Sequence, residues 1–79
     1  MNLEMINRFL KRKPFLPFEV VLSSGETYRI THPEIAVANK GGLVIAYPEL
    51  ETIDVCALLH ITAVHFLPTG QATEPQNAN

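Results

Sequence analysis

The sequence predicts a mainly β fold of the small α+β kind, in which one N-terminal helix precedes a four- to five-stranded antiparallel barrel. Three observations predict it. The first residues carry apolar side chains at helical spacing and stop at a proline. Beyond them, short alternating runs recur at spacings of roughly ten residues, each bounded by Gly, Pro, Asn or Ser. The chain has 79 residues, and a domain this small buries only ~60% of the surface its unfolded chain exposes. Closure into a barrel would remove sheet edges that so small a protein must otherwise protect.

In the first element, NLEMINRFLKR at 2–12, Leu3, Ile6 and Leu10 fall at helical spacing with Phe9 beside them. Glu4, Asn7, Arg8, Lys11 and Arg12 fill the other face. Asn2 is placed to cap the first turn, with Glu4 near the positive end of the helix dipole and Lys11 to Lys13 near the negative end. Pro14 stops the helix, since proline disfavours helical geometry in the residue before it. The connector KPFLP is stiffened by two prolines, and Phe15 is expected to pack down between helix and sheet.

From Phe18 the chain alternates, with Phe18, Val20 and Leu22 on one side and Glu19, Val21 and Ser23 on the other, the period of a half-buried strand. Ser23-Ser24-Gly25-Glu26 supplies a tight turn, with Gly25 at the position that needs positive φ. Tyr28 and Ile30 continue the inward face, while Thr27, Arg29 and Thr31 face out. His32-Pro33-Glu34 ends this second strand because Pro33 cannot donate to a ladder.

Ile35 and Val37 open a short third strand, and Asn39-Lys40-Gly41-Gly42 is a second turn. LVIAY, 43–47, is apolar throughout, which predicts burial on both faces. After a turn at Pro48-Glu49-Leu50-Glu51, TIDVC alternates with Ile53 and Val55 expected inward. Ala57-Leu58-Leu59-His60 reads as a single helical turn before the last strand, Ile61 to Leu67. Residues 1–68 thus form one expected domain, and residues 69–79, without an apolar anchor, are expected to be a disordered tail.

Charge and composition narrow the function classes. Net charge is -2 with pI near 5.8, which argues against general phosphate-backbone binding, where a basic face is the expected footprint. The cations are unevenly spread: Arg8, Lys11, Arg12 and Lys13 lie together, and no Lys or Arg occurs from Tyr47 to Asn79. The single Cys56 excludes an intrachain disulfide framework and fits a reducing compartment. Glu4, Asn7 and Arg8 interrupt any signal-peptide core, and no apolar run approaches the ~20 residues that span a bilayer. The expected setting is soluble and cytoplasmic, with no cofactor.

The order of helix, five strands and a single helical turn before the fifth strand resembles the Sm-like or SH3-like small barrel. The segment RKPFLPFEVVLSSGETYRITHPE, Arg12 to Glu34, followed by LLHITAVHFL, Leu58 to Leu67, is similar to a family of short bacterial proteins. That family shares a basic residue, two PF pairs, an alternating strand, a Gly, an aromatic, HPE and a late LHI. The resemblance implies a shared fold and a bacterial cytoplasmic setting, and supplies no activity to transfer. In the Sm-like comparison, Leu59-His60 stands where the bacterial branch has a lysine-histidine signature, so no RNA-reading residue carries over.

Candidate sites each have a plain structural counterpart. His32 beside Glu34 has the composition of a general base or metal ligand; the same residues also suit a strand end that bonds the next turn. His60 and His65 are five apart, an odd spacing that places them on opposite faces of a strand, so they are not expected to share a metal. Cys56 lacks an adjacent cation to activate it and reads as a small core residue. Glu51 and Asp54 read as decoration of a solvated face. Arg8, Lys11, Arg12 and Lys13 suit either an acidic ligand or dipole complementation at a helix end. Gly41-Gly42 after a lysine lacks the strand-loop-helix context of a phosphate cradle. Val21, Val44, Ala46 and Val64 form a second apolar set that cannot all fill the core, and exposed apolar patches mark interfaces.

The sequence therefore favours a non-enzymatic small-barrel module that acts through protein-protein interaction or self-association. The alternative is Sm-like nucleic-acid (RNA) binding through the basic end of the helix. Its candidate contact residues are Arg8, Lys11, Arg12, Lys13, His32 and Glu34. A catalytic or metal-dependent role through His32 and Glu34 ranks third.

Overall fold

A computed structural model describes residues 1–68; the expected tail, 69–79, lies outside the described residues. Helix α1 spans Leu3–Lys11 and buries Ile6 and Leu10. Asn2 caps it as expected, its Oδ1 accepting the Met5 N–H at 2.8 Å, and the backbone turns extended at Arg12, ahead of Pro14.

Six strands follow: β1 (Phe18–Leu22), β2 (Thr27–Ile30), β3 (Ala36–Asn39), β4 (Gly42–Tyr47), β5 (Thr52–Cys56) and β6 (Ile61–Phe66). Short 3-10 turns at Pro33–Ile35 and Leu58–His60 precede β3 and β6. The strands form two three-stranded antiparallel sheets, ordered β2-β1-β6 and β3-β4-β5.

This corrects the expected four- to five-stranded antiparallel barrel. The fold is mainly β with an N-terminal helix, but among the described residues no ladder joins the two sheets. The physical reason lies at His32-Pro33-Glu34. Pro33 has no N–H to give a ladder, and the chain winds into a 3-10 turn closed by the Ile35 N–H on the His32 carbonyl at 3.3 Å. Beyond this turn the chain does not return to pair with β2, so β2 stays in the first sheet and β3 pairs in the second.

The β1–β2 hairpin matches its pattern: Phe18, Val20 and Leu22 are buried, and Gly25 has φ 96. A second correction concerns β5. Ile53 and Val55, expected inward, are 68% and 66% exposed, while Cys56 is buried and Asp54 half-buried. Register decides this. Tyr47 pairs with Thr52, Ile45 with Asp54 and Leu43 with Cys56. Directly opposed residues share a face, so the inward set of β4 carries Thr52, Asp54 and Cys56 inward with it.

The two sheets and the helix meet in one apolar cluster, in which Phe18, Ile6, Ile30, Leu43, Ile45 and Val20 have the largest fully buried side chains. No polar residue is buried among the described residues. Phe15 reaches this cluster from the connector, as expected, with its ring 6.0 Å from that of Phe18. Helix α1 lies over β3.

Candidate functional site

The outer faces of the two sheets differ in chemistry. On the β2-β1-β6 sheet, Glu19 of β1 pairs with Arg29 on one side and His65 on the other, and the Arg29 Nε lies 3.4 Å from the Glu19 carboxylate. This row is polar, and the next row of the same face sets half-buried Val21 between Thr27 and Ala63.

On the β3-β4-β5 sheet, Val44 stands between Val37 and Val55 in one cross-strand row, and Ala46 opposes Ile53 in the next. Val37 is 61% exposed, comparable with Ile53 and Val55. None of these five residues carries a polar group. Val44 and Ala46 belong to the apolar set expected from sequence, but the other members of that set lie elsewhere. Val21 sits on the first sheet, and Val64 pairs with Val20 and packs against the core. Val37, Ile53 and Val55 complete the face instead.

A second surface forms where α1 ends. Phe66, the last residue of β6, is 45% exposed. Its ring meets Phe9 at 5.3 Å and Phe18 at 6.2 Å, both edge to face. The Arg12 guanidinium lies 5.8 Å above the Phe66 ring. Beside it, Arg8, Phe9, Lys11 and Arg12 line a shallow depression of about 450 Å³. Arg8 reaches Glu4 across one helical turn at 3.6 Å, whereas Lys11, Arg12 and Lys13 are exposed and, among the described residues, make no salt bridge.

The His32-Pro33-Glu34 corner is exposed throughout. With Arg29, Thr31 and Tyr47 it borders an open depression, and no hydrogen bond or salt bridge links His32 to Glu34. Among the described residues no three His, Cys, Asp or Glu side chains come together as a metal site. Gly41 belongs to a hairpin turn, its N–H donating to Asn39 Oδ1 at 2.7 Å.

Reversal of β5 brings together groups that sequence had left apart. Asp54, read from sequence as part of a solvated face, points inward with Cys56 toward Tyr28 and Tyr47. Burial pushes the Tyr47 hydroxyl above its ordinary value, followed by the fields of Asp54 and Tyr28, while a backbone hydrogen bond from Arg29 opposes them. Burial first, then Glu26 and Asp54, raises the Tyr28 hydroxyl, and burial followed by Asp54 raises the Cys56 thiol. Each group is ordinarily protonated at neutral pH, and each shift runs away from the direction that would activate a nucleophile or base.

No family model, curated protein or solved structure matches this chain.

Neither the apolar face nor the Phe66 corner was complete in the sequence. Strand phase hid Ile53 and Val55. Phe66 and Phe9 are separated by almost the whole described chain; the β1–β6 register sets Phe66 beside Phe18, and the packing of α1 brings Phe9 to both.

Proposed function

We propose that this protein works by binding, as a self-associating module whose contact surface is the outer face of the β3-β4-β5 sheet. The observation that carries the reading is the uncharged block of Val37, Val44, Ala46, Ile53 and Val55, three of whose members are more than half exposed. An exposed contiguous apolar patch on a small domain gains free energy when it leaves water. A second copy suits it, because a two-fold interface sets the same patch against itself and an apolar patch is its own complement. Among the described residues β5 is an outer strand of its sheet, and its free edge continues the patch.

In this reading the two sheets are halves of an opened SH3-like or Sm-like small barrel, with the bend at Pro33 and the 3-10 turn before β6 as supporting features. The free thiol of Cys56 suits a reducing, cytoplasmic setting. No described helix is long and apolar enough to cross a membrane.

Light scattering tests the proposal. The wild type should show a mass above the 8.8 kDa of one chain, and Val55→Lys should return it to the monomer with the fold intact by circular dichroism. A wild type that stays monomeric at millimolar concentration would overturn the assignment.

A further inference from the structure

We infer that the end of α1 and the exposed ring of Phe66 form a second, independent binding site, specific for single-stranded nucleic acid. Two requirements define such sites: cations that track phosphates and an aromatic face on which a base can stack. Both occur here within one surface.

The cations come from a run without an acid. From Arg8 to Lys13 the sequence is RFLKRK, and Glu4 engages Arg8 alone. Lys11, Arg12 and Lys13 project from the point where the helix ends. Dipole complementation accounts for Lys11, in the last turn, but Arg12 is already extended and Lys13 lies beyond it.

The aromatic platform comes from the opposite end of the described chain. Phe18 is fully buried, whereas Phe66 leaves nearly half its surface in solvent. Its position is fixed by edge-to-face contacts with Phe9 and Phe18, so a stacking base would meet a ring already held in place. The Arg12 guanidinium already lies over that ring, 5.8 Å from its centroid, so a base stacks on the guanidinium plane or takes its place on the ring while Arg12 turns to the phosphate. The depression floored by Phe9 continues the surface toward Arg8 and Lys11.

Base stacking separates this ligand from an acidic protein, which needs only the cations. It also separates single strands from duplex, whose bases are already stacked on one another.

Fluorescence anisotropy with a labelled short oligouridylate tests the site. Three phosphates neutralised by Lys11, Arg12 and Lys13 predict that affinity falls roughly 20-fold between about 50 and about 200 mM salt. Phe66→Leu keeps an apolar side chain against Phe9 and removes the π face, and should weaken binding roughly tenfold, with Phe66→Trp restoring it. Lys11→Glu with Lys13→Glu should abolish binding while leaving the circular dichroism spectrum unchanged. No binding of the wild type at the lower salt overturns the inference. Equal affinity for oligouridylate, duplex and polyglutamate, unaffected by Phe66→Leu, also overturns it and assigns the patch to an acidic protein. The variants touch none of the residues of the self-association face, so either surface can fail without the other.

Discussion

Gly42 shows how much one residue can be fixed by its surroundings. Its φ is 141, and a Cβ built on it would lie 2.6 Å from the Cys56 carbonyl oxygen and 3.3 Å from its carbon. Gly25 has a φ of 96 but no atom within 4 Å of the same imaginary Cβ. Gly25→Ala therefore meets backbone strain alone, expected at about 1 kcal/mol, whereas Gly42→Ala adds a collision with backbone that cannot swing aside, expected at about 2 to 3 kcal/mol. Urea unfolding of the two variants measures the difference. Equal losses would show that β4 and β5 do not approach as closely at Gly42 as described. Against a total stability of roughly 5 to 15 kcal/mol for a small domain, the larger loss is a substantial part of the whole.

At the scale of elements, the phase of β5 carries most of the functional argument. It is open to direct test by thiol labelling. Cys56 is buried and its thiol is pushed up by burial and by Asp54, so it should react slowly with an aromatic disulfide reagent. In a Cys56→Ser background, Val55→Cys should react at least roughly tenfold faster at concentrations where scattering reports a single chain. Equal protection of the two positions would place Val55 inward and remove the apolar face. The hairpin from Phe18 to Ile30 was legible in the sequence because alternation and the Gly25 turn agree on one register. The phase of TIDVC was not, because Ile53 and Val55 outweigh Cys56 in apolarity, and only pairing with Leu43, Ile45 and Tyr47 reverses it. The break at Pro33 was visible as the end of a strand, but its consequence, two sheets in place of a closed barrel, depends on where the following residues pair. For the candidate contacts, the cations of α1 could be read from local sequence. The ring of Phe66 beside them could not, since it arrives through the pairing of β6 with β1.

At the scale of the whole molecule, the two sheets divide the work of the surface. One outer face carries the polar row of Glu19, Arg29 and His65, the other is left apolar, and Tyr47, Asp54 and Cys56 share the inward side of β4 and β5, with Tyr28 near Asp54 and Cys56. That inner cluster gives the fold a dependence on alkaline pH. The ordinary values are 10.0 for the tyrosines and 9.0 for the cysteine, and all three are higher in the folded chain. Between the ordinary and raised values the native state holds protons that the unfolded chain has released, so stability falls as pH rises. The contribution is complete below about pH 9 and is lost as pH passes through the raised values of the folded state. Asp54 contributes to each of the three shifts, behind burial in every case. Asp54→Asn keeps the shape of the side chain and removes its charge. In this variant the tyrosinate absorbance should therefore appear at lower pH than in the wild type, yet still above the ordinary tyrosine value, because burial remains. The same variant should hold its thermal midpoint further into the alkaline range. If the tyrosinate midpoints of the two proteins coincide, Asp54 does not face the tyrosines, and the inward side of β5 would have to be assigned to Ile53 and Val55 after all.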